Sequence, residues 1–138
     1  MRYFQSAEQV LYSVPTLERA MDNMRRRKEL LEWHGVPELD LSKPYISIKG
    51  LCSALDEALA LPEVERNLAY TEDELKKIYG IISRLEDKQR KVLELWYIER
   101  VDEQKIAAAL GYTSATSVYN VRNKAVANFA LEYYGVGL

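Results

Sequence analysis

Apolar residues recur at three- and four-residue intervals along most of the chain, and no alternating run exceeds three or four residues, so the pattern predicts an all-α protein. Ser6 followed by Gln9 is a capping-box signal for a short first helix. Pro15 disfavours helical geometry at Val14 and should end it. A longer helix is expected over residues 15–33, where Leu17, Met21, Met24 and Leu31 make a stripe with Lys28 in its remaining slot. Gly35 and Pro37 read as stop signals, and residues 36–45, with two prolines and no periodicity, read as a linker. Ile48, Leu51, Leu55 and Leu59 again share one helical face, which Pro62 should close, leaving residues 62–68 for one further short turn. Thr71 with Glu74 is a second capping box, followed by the stripe Leu75, Ile78, Ile82 and Leu85.

The pattern is sharpest beyond residue 86. Asp87 is placed to cap a helix through Ile98 with Val92, Leu93 and Trp96 inward, and Asp102 to cap a short helix bearing Ile106, Ala107 and Leu110. Gly111 stops that helix where a left-handed residue is needed. Thr113 and Ser114 offer N-cap oxygens to a third helix whose Val118, Val121, Ala125 and Phe129 face inward. Two helices crossing steeply over a short turn need a small residue where their axes meet and a residue free to take positive φ in the turn. Ala107 and Gly111 meet both needs, so the spacing favours a helix-turn-helix over an ordinary helical hairpin. The expected division is an N-terminal helical region, residues 1–70, with a role in oligomerisation, and a helix-turn-helix domain, residues 71–138.

On a helical wheel with Val118, Val121 and Ala125 inward, Thr116, Asn120 and Asn123 point outward, flanked by Ser117, Tyr119 and Lys124. Such a face suits double-stranded DNA. Asparagine can bind adenine through two hydrogen bonds in the major groove, and a threonine methyl can pack on thymine. Serine, tyrosine, lysine and a helix N-terminus, here with Thr113 and Ser114 beside it, can hold phosphates.

Composition and charge change this picture only in part. The chain of 138 residues, 48% hydrophobic and 29% charged, is that of an ordinary soluble domain. The net charge of −2 divides unevenly, with 12 basic and 16 acidic side chains in residues 1–87 but seven basic and four acidic in residues 88–131. The C-terminal part is therefore the better suited to approach an anion, although an excess of three charges is also compatible with a solvated surface. A single cysteine, Cys52, excludes an intramolecular disulfide and fits a cytoplasmic setting. No apolar run approaches the roughly 20 residues of a membrane span, and Met1 to Gln5 lack the apolar stretch of a signal peptide.

The sequence from Leu85 through Trp96-Tyr97, then Lys105-Ile-Ala-Ala-Ala-Leu-Gly111, then Val118-Tyr-Asn-Val-Arg-Asn-Lys-Ala125, resembles region 4 of sigma-70-type sigma factors. The overall layout resembles the small phage late-transcription regulators of the RinA and ArpU type. The resemblance implies a transcription regulator of phage or prophage late genes that binds promoter DNA and also contacts RNA polymerase. It places Ala115, Thr116 and Asn120 where bases are contacted, and Ser117 and Tyr119 where phosphates are. The chain departs from the pattern in a turn one residue longer and in a third helix that opens Ser114-Ala115-Thr116-Ser117 rather than with charged residues. Alanine cannot hydrogen-bond a base edge, so a standard −35 element is not the expected target. That weak charge leaves room for a second reading: a helix-turn-helix used for protein interaction and assembly, as in a phage DNA-packaging subunit.

Other residues carry less chemistry. His34 reads as a helix C-terminal residue and Cys52 as a small core residue, and one of each makes no zinc-ligand set. The counts leave a Ser–His–Asp arrangement open, but no nucleophile elbow or glycine-rich phosphate loop occurs, so neither an enzyme nor a cofactor is expected. Arg25-Arg26-Arg27-Lys28 shares its helix with Glu18, Asp22, Glu29 and Glu32, which favours intrahelical pairing over a second DNA contact. The Leu17, Met21, Met24 and Leu31 stripe is long enough to pair with a partner helix as well as to cover its own core, which predicts a homodimer or larger assembly. Sedimentation at tens of micromolar should therefore give a mass above 16 kDa; a strict monomer would leave the stripe as core alone.

Overall fold

The computed structural model describes residues 2–34 and 48–135, with the side chains of 33, 34, 48–55, 57 and 58 excluded. Every regular element among the described residues is helical: α1 (Arg2–His34), α2 (Ile48–Arg84), α3 (Asp87–Leu93), a π-helical turn (Glu94–Ile98), α4 (Glu103–Leu110) and α5 (Ala115–Tyr134). The expected stop signals Gly35 and Pro37 and the linker 36–45 lie outside the described residues, as do the side chains of His34, Ile48, Leu51, Cys52 and Leu55. The chain forms two compact units, one of Met1–Glu18 with Glu74–Leu138 and the other of Arg19–Asp73. A boundary at residues 70 and 71 falls inside α2, and the unit holding the C-terminal helices also takes in the first half of α1.

Three expected breaks are absent. Helix α1 runs through Pro15 without interruption. A proline inside a helix costs about 3 kcal/mol, but Ala7, Leu11 and Val14 in the preceding two turns are fully buried. Burying Leu11 and Val14 returns about 1.5–3 kcal/mol each, enough to hold the helix together across the missing N–H. Helix α2 likewise passes through Pro62 and Thr71. Val64, Leu68, Thr71, Leu75, Ile78 and Ile82 are all buried at helical spacing, so Thr71 fills a slot in one continuous stripe. Its hydroxyl donates to the Asn67 carbonyl at 2.9 Å, a backward bond inside a helix, and not to the first turn of a new one.

In the Arg19–Asp73 unit, Arg25 reaches Glu72 of α2 at 3.2 Å, and Lys28 pairs along its own helix with Glu32 at 3.8 Å. The Arg25 pairing is thus between helices, where the sequence pattern favoured an intrahelical one. Both pairs are solvent-exposed and contribute little to stability.

In the other unit, Asp87 is the first residue of α3, with Glu86 at the N-cap, and it pairs with Arg90 at 2.7 Å. Helix α3 gives way to the π-helical turn at Glu94, where the Glu99 N–H reaches the Glu94 carbonyl at 2.9 Å. Val92 and Leu93 are buried as expected, but the large aromatic at the centre is Tyr97, fully enclosed, while Trp96 is half-buried. Tyr97 Oη donates to Glu8 Oε2 of α1 at 2.8 Å, and its ring meets Tyr12 edge-on at 4.6 Å. Trp96 Nε1 donates to Tyr12 Oη at 3.1 Å. The start of α1 is therefore bonded into the same core as the C-terminal helices.

Burial, then the hydrogen bond to Glu8, push the Tyr97 hydroxyl well above the ordinary tyrosine range, and the Tyr79 hydroxyl is pushed the same way by desolvation and its bond to Glu18, although the residue as a whole is exposed. Both hydroxyls hold their protons more tightly folded than unfolded. The stability they contribute is complete below the unfolded value of about 10 and declines as pH rises beyond it. Tyr97→Phe should lower the unfolding free energy at pH 8 by about 1–2 kcal/mol and make the decline above about pH 10 shallower. Denaturant unfolding across that range checks both, and equally steep declines in the two proteins would contradict the assignment.

Candidate nucleic-acid interface

Helix α4 ends where the sequence places its end. Gly111 takes a left-handed conformation, φ 77°; its N–H reaches the Ala108 carbonyl, and the Tyr112 N–H reaches the Ala107 carbonyl at 2.8 Å. This pair of bonds satisfies carbonyls that the helix end leaves open and turns the chain sharply towards α5. Ala107, 5% exposed, shares one buried cluster with Val92, Ile106 and Val118, with Leu95, Trp96, Val101, Leu110, Tyr112 and Val121 packed around it. Helices α3, α4 and α5 thus meet on a small common core.

The same packing fixes which side of α5 faces out. Val118, Ala125 and Phe129 are fully buried and Val121 half-buried, as the periodicity predicts; Val126 and Ala130 are buried as well, a second inward row that the wheel did not assign. Thr116, Asn120, Asn123 and Lys124 are exposed along the opposite side, and Tyr119 is 39% exposed at its edge. Thr113 and Ser114 are exposed in the turn, whereas Ser117 and Ala115 are half-buried on the flank. Seven of the eight predicted contact residues are therefore exposed on the outer side of α5 or in the turn leading into it, and Ser117 is the one partly withdrawn. Ser114 holds the N-cap position in extended geometry, but its side chain makes no capping bond, so the first-turn N–H groups of α5 are not closed off by it. Asp102 at the start of α4 likewise sits at the N-cap without a side-chain bond.

Sequence reasoning missed Arg122 and Trp96. The Arg122 guanidinium lies 4.7 Å from the centre of the Trp96 ring and 5.5 Å from that of Tyr119, and the two rings themselves pack edge-on at 5.5 Å. Arg122 Nε and Nη2 both donate to Asn123 Oδ1, at 3.2 and 2.8 Å. The three-residue spacing of Tyr119 and Arg122 was legible as a helical neighbour pair, but the approach of Trp96 depends on the π-helical turn and was not. Lys88 Nζ stands 4.8 Å from the centre of the Tyr112 ring, which brings a cation beside the turn. Among the described residues Lys88, Lys91, Lys105 and Lys124 form no salt bridge, so their charges remain available to an anion.

No protein-family model, curated protein or solved structure matches the chain. Among the described residues no group of three or more potential ligands could hold a metal ion, and no helix is long and apolar enough to cross a membrane.

Two substitutions separate packing from backbone at the turn. Ala107→Leu should cost about 1–3 kcal/mol by overpacking the shared cluster. A Cβ at Gly111 would meet nothing within 4 Å, so Gly111→Ala should cost only the left-handed backbone penalty, about 1–2 kcal/mol. Thermal melts check both; an Ala107→Leu protein melting like wild type would mean that α4 and α5 do not cross at that residue.

Proposed function

We propose that Glu103–Tyr134 works as a helix-turn-helix and that the chain is a sequence-specific DNA-binding transcription regulator, with α5 as the helix that enters the major groove. The observation that carries this reading is the pairing of a glycine-closed turn and a buried Ala107 with an α5 whose outer side presents Thr116, Asn120, Asn123 and Lys124 together. Asparagines read base edges, and Lys124, Tyr119, Thr113, Ser114 and the open N-terminus of α5 suit the phosphates on either side. The resemblance to sigma region 4 and to phage late-transcription regulators extends the proposal to late genes of a phage or prophage, with RNA polymerase as a second partner. The reading calls for no cofactor and no catalytic step.

One observation favours the assembly-module alternative. Of the two basic residues of α5, Arg122 is folded back over Trp96, so Lys124 alone stands off the outer side. Few phosphate contacts mean modest affinity and a shallow salt dependence for a single copy.

Gel shifts with duplexes from upstream of the neighbouring genes separate the two readings. Asn120→Ala should cost about 1–3 kcal/mol on the specific site and nothing on unrelated DNA. Lys124→Ala should weaken specific and non-specific binding alike and lower the salt slope by about one. If neither substitution alters binding to any fragment while both proteins keep their helical spectrum, α5 does not read DNA and the assembly role takes its place.

A further inference from the structure

Asn120 and Asn123 both stand on the outer side of α5, yet they are not chemically equivalent. Among the described residues no hydrogen bond engages the Asn120 carboxamide. The Asn123 oxygen, by contrast, accepts from both Nε and Nη2 of Arg122. A guanidinium carries donors only, so the carboxamide must turn its oxygen towards Arg122 and its NH2 away from it. Two donors also occupy the two lone pairs of that oxygen. The fork cannot easily swing aside, because the guanidinium lies against the Trp96 and Tyr119 rings, which are packed on each other.

We propose that Arg122 sets Asn123 as a donor-only contact that selects a keto base, guanine or thymine, over adenine and cytosine. The inference rests on the DNA-binding reading above. Asparagine reads adenine by donating to N7 while its oxygen accepts from the N6 amino group, and the oxygen of Asn123 is already filled. Guanine offers O6 and N7 as neighbouring acceptors, and thymine offers O4; cytosine would set its N4 donor against the Asn123 NH2. Asn120 keeps both halves of its carboxamide and remains suited to adenine. The two asparagines, three residues apart, therefore select opposite exocyclic groups. Arg122 is a positioning residue, acting through Asn123.

The test is selection of binding sites from random DNA duplexes by the full chain, with Asn123→Ala, Arg122→Leu and Arg122→Lys in parallel. The base position whose preference disappears in Asn123→Ala should carry guanine or thymine with wild type. In Arg122→Leu the carboxamide is free to turn, and adenine should rise there about fivefold or more. Arg122→Lys keeps the aliphatic stem and the charge but lacks the planar fork, so it should shift the same position in the same direction and covers the case in which Arg122→Leu does not fold. Adenine at that position with wild type, a preference that neither Arg122 variant moves, or the lack of any Asn123-dependent position within an enriched motif overturns the inference while DNA binding stands. If wild type enriches no sequence at all, the inference falls together with the DNA-binding reading.

Discussion

Helices α3, α4 and α5 share one small core in which residue 107 contributes only a methyl group. Ala107 sits in the same buried cluster as Val92, Ile106 and Val118, and a larger side chain there would have to displace them. Gly111 supplies the other half of the constraint, since the left-handed turn that closes α4 also aims the chain into α5. Val118 is buried in that cluster, and Thr116, Asn120, Asn123 and Lys124 are exposed on the opposite side of α5. Whatever α5 contacts, it does so with the side that this packing leaves uncovered.

Trp96 links the outer side of α5 to the rest of its unit. The π-helical turn places the indole where its N–H bonds Tyr12 of α1, its face receives Arg122 and its ring packs T-shaped with Tyr119. The next residue, Tyr97, is buried completely and bonded to Glu8. Short π-helical segments often occur at functional sites, and this one joins a polar surface to a buried core within two consecutive residues. The first half of α1 is tied to the C-terminal helices by these two bonds, and its Tyr3 ring packs 5.4 Å from that of Tyr134 in α5.

What could be read from the sequence follows from how local each determinant is. The end of α4 at Gly111, the inward row of α5 and the outward Thr116 and Asn120 rest on spacing and turn chemistry within a few residues, and the structure places them as the spacing predicts. The breaks expected at Pro15 and before Thr71 were local signals that tertiary burial overrode: Leu11, Val14, Leu68 and Leu75 gain more from continuous helices than the proline and the capping pattern cost. Arg122, Trp96 and the pairing of Glu8 with Tyr97 depend on contacts between residues far apart in the chain, which no periodicity reveals. Asn123 was recognisable as exposed, but the state of its oxygen was not, because that is fixed by a guanidinium held in place by a ring from another element.

The DNA-binding proposal assigns the outer side of α5, with the turn before it, as the surface that meets DNA. Its most direct test is amide chemical-shift mapping by NMR as an upstream duplex is titrated into the labelled chain. The largest changes are expected from Tyr112 to Lys124, with the Trp96 indole N–H shifting as well because it adjoins Arg122 and Tyr119. Changes concentrated instead around Leu30 or Leu59, both exposed in the Arg19–Asp73 unit, with the α5 amides unmoved, would contradict it.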